Sequence, residues 1–340
     1  MNLPNIDGID VSGKKVMVRM DFDVPEGDYT RIESSKETLN YLLEQKAKLV
    51  LIGHKGRPTG DRERDRELSL EKLAPVLTNI LGKEVGFVES SDINKIKATI
   101  EQFNNETIFL LENLRFDKGE EENDETFARD LASMADVYVN EAFAVSHREH
   151  ASLVGIPKFL PHAAGFRFMK EVEHLSRIIE NPERPLVFLI SGIKKDKIDM
   201  IERIKELADK VLVAGRLPEY LDEDYHDEKV MVSRLNPDKE DITIHSIEKF
   251  GEEIDKAKTI VLAGVVGKYE EEGQRQGTGA VFEKVAQSNA YKVAGGGDTE
   301  AALTMFKLTD KFDWISVGGG AMLEFLAKGT LPGIEALNNG

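Results

Sequence analysis

Short apolar, β-branched runs alternate along the chain with longer stretches whose apolar residues recur at helical spacing. The runs at 16–20, 49–53, 108–112, 137–140, 186–190, 211–214, 230–233, 260–264, 292–294 and 314–317 predict strands. The stretches at 36–45, 69–81, 125–133, 170–180, 200–208, 246–256 and 280–287 predict helices. Alternation of this kind over the whole length predicts an α/β fold with parallel sheets. Ten strands are many for one open sheet, so two sheets in two domains are expected. The passage 153–165 is rich in Pro, Gly and His and lacks periodicity; a helix pattern follows, and Asn181-Pro182-Glu183-Arg184-Pro185 stops it. A boundary is therefore expected near 157–185, with that helix as a rigid hinge element. The dense charge run at 62–67 reads as a solvated loop.

The 340 residues allow two sizeable cores. No apolar run approaches the roughly 20 residues of a membrane helix, and Met1-Asn2-Leu3-Pro4 is unlike a signal peptide. The absence of cysteine rules out disulfides and thiolate chemistry and fits a cytoplasmic chain. A net charge of −17 argues against nucleic-acid or anionic-membrane partners. Small anionic substrates would need a local cationic cluster.

Such a cluster is predicted in the first half. Parallel strands present ligands at their carboxyl ends. There stand Asp21-Phe22-Asp23 with Arg31, then His54-Lys55-Gly56-Arg57, then Asn113-Leu114-Arg115, then His147-Arg148-Glu149-His150. Arg31, Arg57, Arg115 and Arg148 on one rim would suit carboxylate or phosphate oxygens; singly, each could be a surface ion-pair partner. His147 and His150 could instead be a metal pair in a metallohydrolase, but Arg148 between them would repel a cation and no HExxH pattern exists.

The second half offers glycine-rich junctions. Gly295-Gly296-Gly297-Asp298-Thr299 follows a strand and precedes a helix, where backbone N–H groups can approach phosphates and Asp298 can hold Mg²⁺. Ser316-Val317-Gly318-Gly319-Gly320 repeats the pattern; tight packing turns would look the same. Lys194, Lys195 and Lys197 follow Ser191-Gly192-Ile193 at another strand end, against the helix dipole, which favours a functional reading. Gly264-Val265-Val266-Gly267-Lys268 is not a P-loop, and no dinucleotide fingerprint is present.

Taken together, Val18-Arg19-Met20-Asp21-Phe22-Asp23-Val24-Pro25, Gly53-His54-Lys55-Gly56-Arg57-Pro58, Leu111-Glu112-Asn113-Leu114-Arg115-Phe116, His147-Arg148-Glu149-His150-Ala151-Ser152, Gly295-Gly296-Gly297-Asp298-Thr299 and Gly318-Gly319-Gly320-Ala321-Met322 resemble the phosphoglycerate kinase family, in order and over nearly the whole length. The resemblance implies two Rossmann-like parallel-sheet domains joined by a hinge helix. Residues 1–168 would bind 3-phosphoglycerate or 1,3-bisphosphoglycerate, 169–184 would be the hinge, 185–327 would bind ADP or ATP, and a tail 328–340 would return to the first domain. It implies a monomer that closes to transfer a phosphoryl group. Substrate would be held by Asp21, Phe22, Asp23, Arg31, His54, Lys55, Gly56, Arg57, Arg115, His147 and Arg148. Nucleotide would meet Gly192, Ile193, Lys194, Lys197, Gly215, Gly264, Glu270, Gly295, Gly296, Gly297, Asp298 and Thr299, with Asp298 on the metal. Arg31, Lys194, Lys197, Gly296 and Gly297 would act on the phosphoryl group in flight.

The chain departs from the family pattern in places. Asp23 replaces a usual Asn and Glu141 a usual Asp. The loop Ser191-Gly192-Ile193-Lys194-Lys195-Asp196-Lys197 is one residue short, which leaves Lys194 and Lys195 as rivals for the first lysine role. The stretch 216–241 is much shortened. A non-catalytic paralogue that binds a phosphorylated ligand is the alternative reading.

Overall fold

The computed structural model describes residues 3–339 apart from Arg62, Ser91, residues 103–107, Lys194, Asp196, Glu223 and Asp224. Two compact units emerge: Met1–Glu173 with Leu331–Gly340, and His174–Thr330. The division falls inside the helix Phe166–Glu180.

The first unit holds a six-stranded parallel sheet of β1 (Lys15–Arg19), β2 (Lys48–Ile52), β3 (Gly86–Val88), β4 (Ile108–Leu111), β5 (Val137–Asn140) and β6 (His162–Ala164). Its order is β3-β4-β2-β1-β5-β6. β1 pairs with β2 on one side, Val16 opposite Leu49, and with β5 on the other, Val16 opposite Val137. Nearly all residues of β1, β2, β4 and β5 are buried, as covered parallel strands require. Helices such as Lys36–Glu44 and Leu73–Leu81 bury Leu39, Leu42 and Leu77 against Val16, Val18 and Leu49. The tail helix Pro332–Asn339 belongs to this unit, where Gly333 N–H donates to the Ser146 carbonyl at 2.9 Å.

The second unit repeats the architecture with β7 (Leu186–Gly192), β8 (Lys210–Gly215), β9 (Val230–Val232), β10 (Thr259–Ala263), β11 (Tyr291–Gly295) and β12 (Trp314–Ser316). Its order is β12-β11-β10-β7-β8-β9, all parallel. Every residue of β10 is buried.

All ten strands read from the sequence exist. Two were missed, β3 and β6, each only three residues long. β6 lies in the passage that showed no periodicity, because three residues at a sheet edge are too few to make a pattern. The hinge helix begins at Phe166, four residues earlier than its apolar spacing suggested. In both sheets chain order reverses beside the first strand, between β1 and β5 and between β7 and β10. A crevice opens at such a point, at the carboxyl ends of the strands.

Candidate active site

In the first unit the predicted rim is assembled largely through its own side chains. Asp21 follows β1 and is almost fully buried; its Oδ2 accepts from Arg31 Nη1 at 3.2 Å. Burial nonetheless raises the Asp21 carboxyl above its ordinary range, with the Arg31 charge opposing. Arg31 also donates to the Asp23 carbonyl at 3.3 Å. Asp23 Oδ1 accepts the Gly56 N–H at 2.9 Å, tying the loop after β1 to the loop after β2. Arg115 Nη1 donates to the Gly56 carbonyl at 2.6 Å and its Nε lies 3.0 Å from Glu121. Asn113 Nδ2 holds the Lys55 carbonyl at 2.8 Å. The loop 54–57 is thus pinned from both sides, and Gly56 takes a φ of +62° there.

Arg148 is half-buried near Arg57. Burial, then the Arg57 charge, lowers its pKa, while Asp23 and Asp21 oppose. Two like charges this close call for an anion between or beside them. Arg57 is exposed, Lys55 and His147 half-buried. His54 is fully buried after β2 and receives a hydrogen bond on Nδ1 from Arg19 at 2.8 Å. Burial, then the Arg19 and Arg148 charges, pulls its pKa down to about 2. Its Nε2 is buried and meets no partner among the described residues.

Two predicted substrate residues do something other than expected. The Phe22 side chain is fully buried in the core, packed where a Cβ on Gly53 would come within 2.4 Å of its ring. Arg115, 7% exposed, spends its guanidinium on the protein itself. Arg19 was missed. Its signal was a charged residue at the carboxyl end of β1, directly after the apolar run Val16-Met17-Val18 and fully buried like it.

In the second unit a cleft of about 360 Å³ is lined by Gly192, Ile193, Lys197, Gly215, Gly264, Glu270 and Asp298, all of them predicted. Arg216, Lys239, Glu240 and Lys268 line it too, and were not predicted. Lys197 Nζ donates to the carbonyls of Ser191 and, at 3.3 Å, Ala263, so the ammonium sits where β7 and β10 end. Gly264 has a φ of +128° and a Cβ there would fall 2.3 Å from the Ser191 oxygen, so no other residue fits. Its N–H donates to Thr299 Oγ1 at 3.1 Å. Gly296 precedes the helix Gly297–Met305, and Asp298 stands exposed in its first turn. Gly295 and Thr299 are buried; Gly295 makes room for Met322 instead of lining the cleft. Lys194 lies outside the described residues.

Among the described residues no three His, Cys, Asp or Glu side chains converge on a metal position. That set does not suit a protein cage such as the His147–His150 hydrolase would need. It does suit Mg²⁺ carried in with a nucleotide, which takes one or two carboxylates and completes its shell with phosphate oxygens and water. Asp298, exposed on the cleft wall, is one of three carboxylates there, with Glu240 and Glu270.

A rim of arginines and histidine at one topological switch point and a glycine-walled cleft with lysine and aspartate at another suit a phosphotransferase built of two parallel α/β units. The family model for phosphoglycerate kinase matches residues 6–223 and 221–329. The chain belongs to the phosphoglycerate kinase family. It is 35% identical to the phosphoglycerate kinase of Finegoldia magna over 395 aligned positions, covering 99% of this chain and 100% of that one. It is 35% identical to the Clostridium botulinum enzyme, covering 99% of each. Phosphoglycerate kinase structures from Pyrococcus horikoshii (TM-score 0.84, 27% identity, 99% and 98% covered) and Coxiella burnetii (0.81, 29%, 99% of each) share the fold. The chain is a glycolytic kinase that acts on a carboxyl group; full-length relatives favour this over a non-catalytic paralogue.

Proposed function

We propose that the protein transfers a phosphoryl group reversibly from 1,3-bisphosphoglycerate to MgADP, giving 3-phosphoglycerate and MgATP, with one substrate on each unit. The observation that carries this is the first unit's rim, where Arg31, Arg57, Arg148 and a neutral His54 collect around Asp21 and Asp23 in an otherwise acidic protein. Arg57 and Arg148 take the triose phosphate and carboxylate oxygens; Lys55, His147 and backbone of the pinned loop complete the pocket. Arg115 serves by holding Gly56 in place.

In the second unit Lys197 leaves its carbonyl partners for the phosphates, and the N–H groups of Gly296 and Gly297 meet them at the helix start. Asp298 holds Mg²⁺, Glu270 meets the ribose, and Ile193, 67% exposed, offers the base an apolar face. Lys194 shares the phosphoryl charge. The chemical step needs positioning and charge neutralisation, not a covalent nucleophile; Arg31 and Lys197 supply the cations, and domain closure excludes water. The protein works as a cytoplasmic monomer.

The test couples ATP and 3-phosphoglycerate consumption to reduction of the bisphosphoglycerate formed, with and without Mg²⁺. Metal-dependent turnover is expected. Folded protein without turnover would discard the assignment.

A further inference from the structure

The buried polar groups behind the rim form a chain that ends at His54. Glu120, fully buried, accepts the Ser152 hydroxyl at 2.6 Å on Oε1 and the Ser152 N–H at 2.9 Å on Oε2. Ser152 Oγ in turn accepts Arg19 Nε at 2.9 Å, and its carbonyl accepts Tyr138 OH at 2.7 Å. Arg19, with no exposed surface, uses Nη1 on the Met20 carbonyl and Nη2 on His54 Nδ1 at 2.8 Å. One buried carboxylate and one buried guanidinium are thus matched through a single hydroxyl, as burial of charge demands.

The direction of these bonds has a chemical consequence. A guanidinium has donors only and keeps its charge. Its N–H on Nδ1 makes that nitrogen an acceptor, so the ring proton must sit on Nε2. A second proton on Nδ1 would face the guanidinium donor to donor. Nε2 is buried and meets no partner among the described residues.

Resting on the functional reading above, we propose that Glu120, Ser152 and Arg19 act as positioning residues that lock His54 in its neutral, Nε2-protonated form, so that it offers one fixed hydrogen-bond donor to an anionic oxygen of the triose substrate. A cationic histidine would attract any anion non-directionally; a locked neutral donor rewards only an acceptor at one place. The charged and titratable groups facing His54 are Arg19 from β1 and Arg148 and His150 from the segment after β5, with Glu120 behind Ser152. The cations oppose ring protonation. Glu120 is held ionised, because although burial opposes it, the His150 contact, the Arg19 charge and the Ser152 bonds outweigh that effect.

The experiment uses the full chain labelled with ¹⁵N-histidine, His54 being assigned from the signal lost in His54→Gln. Long-range ¹H–¹⁵N spectra between pH 5 and 8 should show His54 as the neutral Nε2–H tautomer throughout. A proton on Nδ1, or a titration midpoint within that range, would overturn the proposal without any variant having to fold. Ser152→Ala, which cuts the relay at its middle, should raise KM for 3-phosphoglycerate about five- to tenfold while kcat and KM for MgATP change less than twofold. It should also give His54 a mixed tautomer signal. Arg19→Lys, which keeps the charge but cannot bridge Ser152 and His54 together, should do the same. Folded variants with wild-type KM and wild-type His54 signals would sink the relay. Lack of turnover in the wild-type protein would instead remove the functional reading, leaving the tautomer result to stand by itself.

Discussion

In the proposed function the two half-sites would bind their phosphorylated molecules in opposite ways. The first unit uses side chains, wired to each other before any ligand arrives: Arg31 to Asp21, Asp23 to Gly56, Arg115 to Gly56, His54 to Arg19. The second uses backbone, with glycines at the ends of β7, β8 and β10 and a helix start, plus one lysine parked on carbonyl oxygens. Side-chain wiring fixes a small, chiral triose through directional bonds. A backbone cradle suits phosphates, which are much alike in every nucleotide. The first design tolerates little change in side-chain chemistry, the second little change in backbone shape.

That contrast can be broken most sharply at Arg31. Arg31→Ala should lower kcat by about 10²-fold or more, as loss of a donor to transition-state charge does elsewhere, with a smaller loss of melting temperature, because the side chain is 27% exposed and its partner Asp21 is buried and can take up a proton once the guanidinium is gone. A variant that mainly loses melting temperature would show the residue to be structural.

A stability experiment tests the buried side of the same unit. Glu141 is fully buried, accepts from Thr38 Oγ1 at 2.5 Å and from the Arg167 and Phe168 N–H groups at 3.2 Å, and burial pushes its pKa up to about 7 from an ordinary 4.5. The folded state then holds a proton that the unfolded chain has released, so this contribution is complete below pH 4.5 and is lost as pH rises through 7. Its size is on the order of 1–3 kcal/mol. Glu141→Gln, permanently neutral, should remove that part of the pH slope in denaturant titrations. His54 has the opposite sign: with its pKa lowered to about 2, it stabilises above pH 6.5 and progressively less as pH falls. An unchanged slope in Glu141→Gln would mean the carboxylate is ionised at neutral pH.

Gly264→Ala is the matching probe of the second unit. The added methyl meets the Ser191 carbonyl in a conformation with φ of +128°, which should cost about 1–3 kcal/mol and raise KM for nucleotide without affecting KM for 3-phosphoglycerate. Equal effects on both substrates would argue against separate half-sites. The smallest effect is expected from Asp23→Asn. The amide oxygen can still accept the Gly56 N–H, while one carboxylate charge leaves the exposed rim; KM for 3-phosphoglycerate should fall about two- to threefold. A rise would mean that the carboxylate itself contacts the substrate.

Much of this was legible in the chain. The central strands announce themselves because their residues are apolar on both faces, and residues just past a parallel strand's carboxyl end must collect on one rim. That rule alone puts Asp21, His54, Arg148, Gly192 and Asp298 at or soon after the carboxyl ends of strands, where the structure has them. It also misjudged Phe22 and Arg115, because standing at a strand end does not say whether a side chain turns outward or into the protein.

Local pattern and residue chemistry therefore determined the class of fold and the family. Tertiary structure alone decided which charges cancel one another and which are left for a ligand. Arg19, His54, Glu120 and Ser152 are scattered across more than 130 positions and meet only because β1, β2 and β5 lie side by side. Periodicity records what one segment buries, whereas a hydrogen-bond chain depends on distances between segments, and no single stretch of sequence carries those.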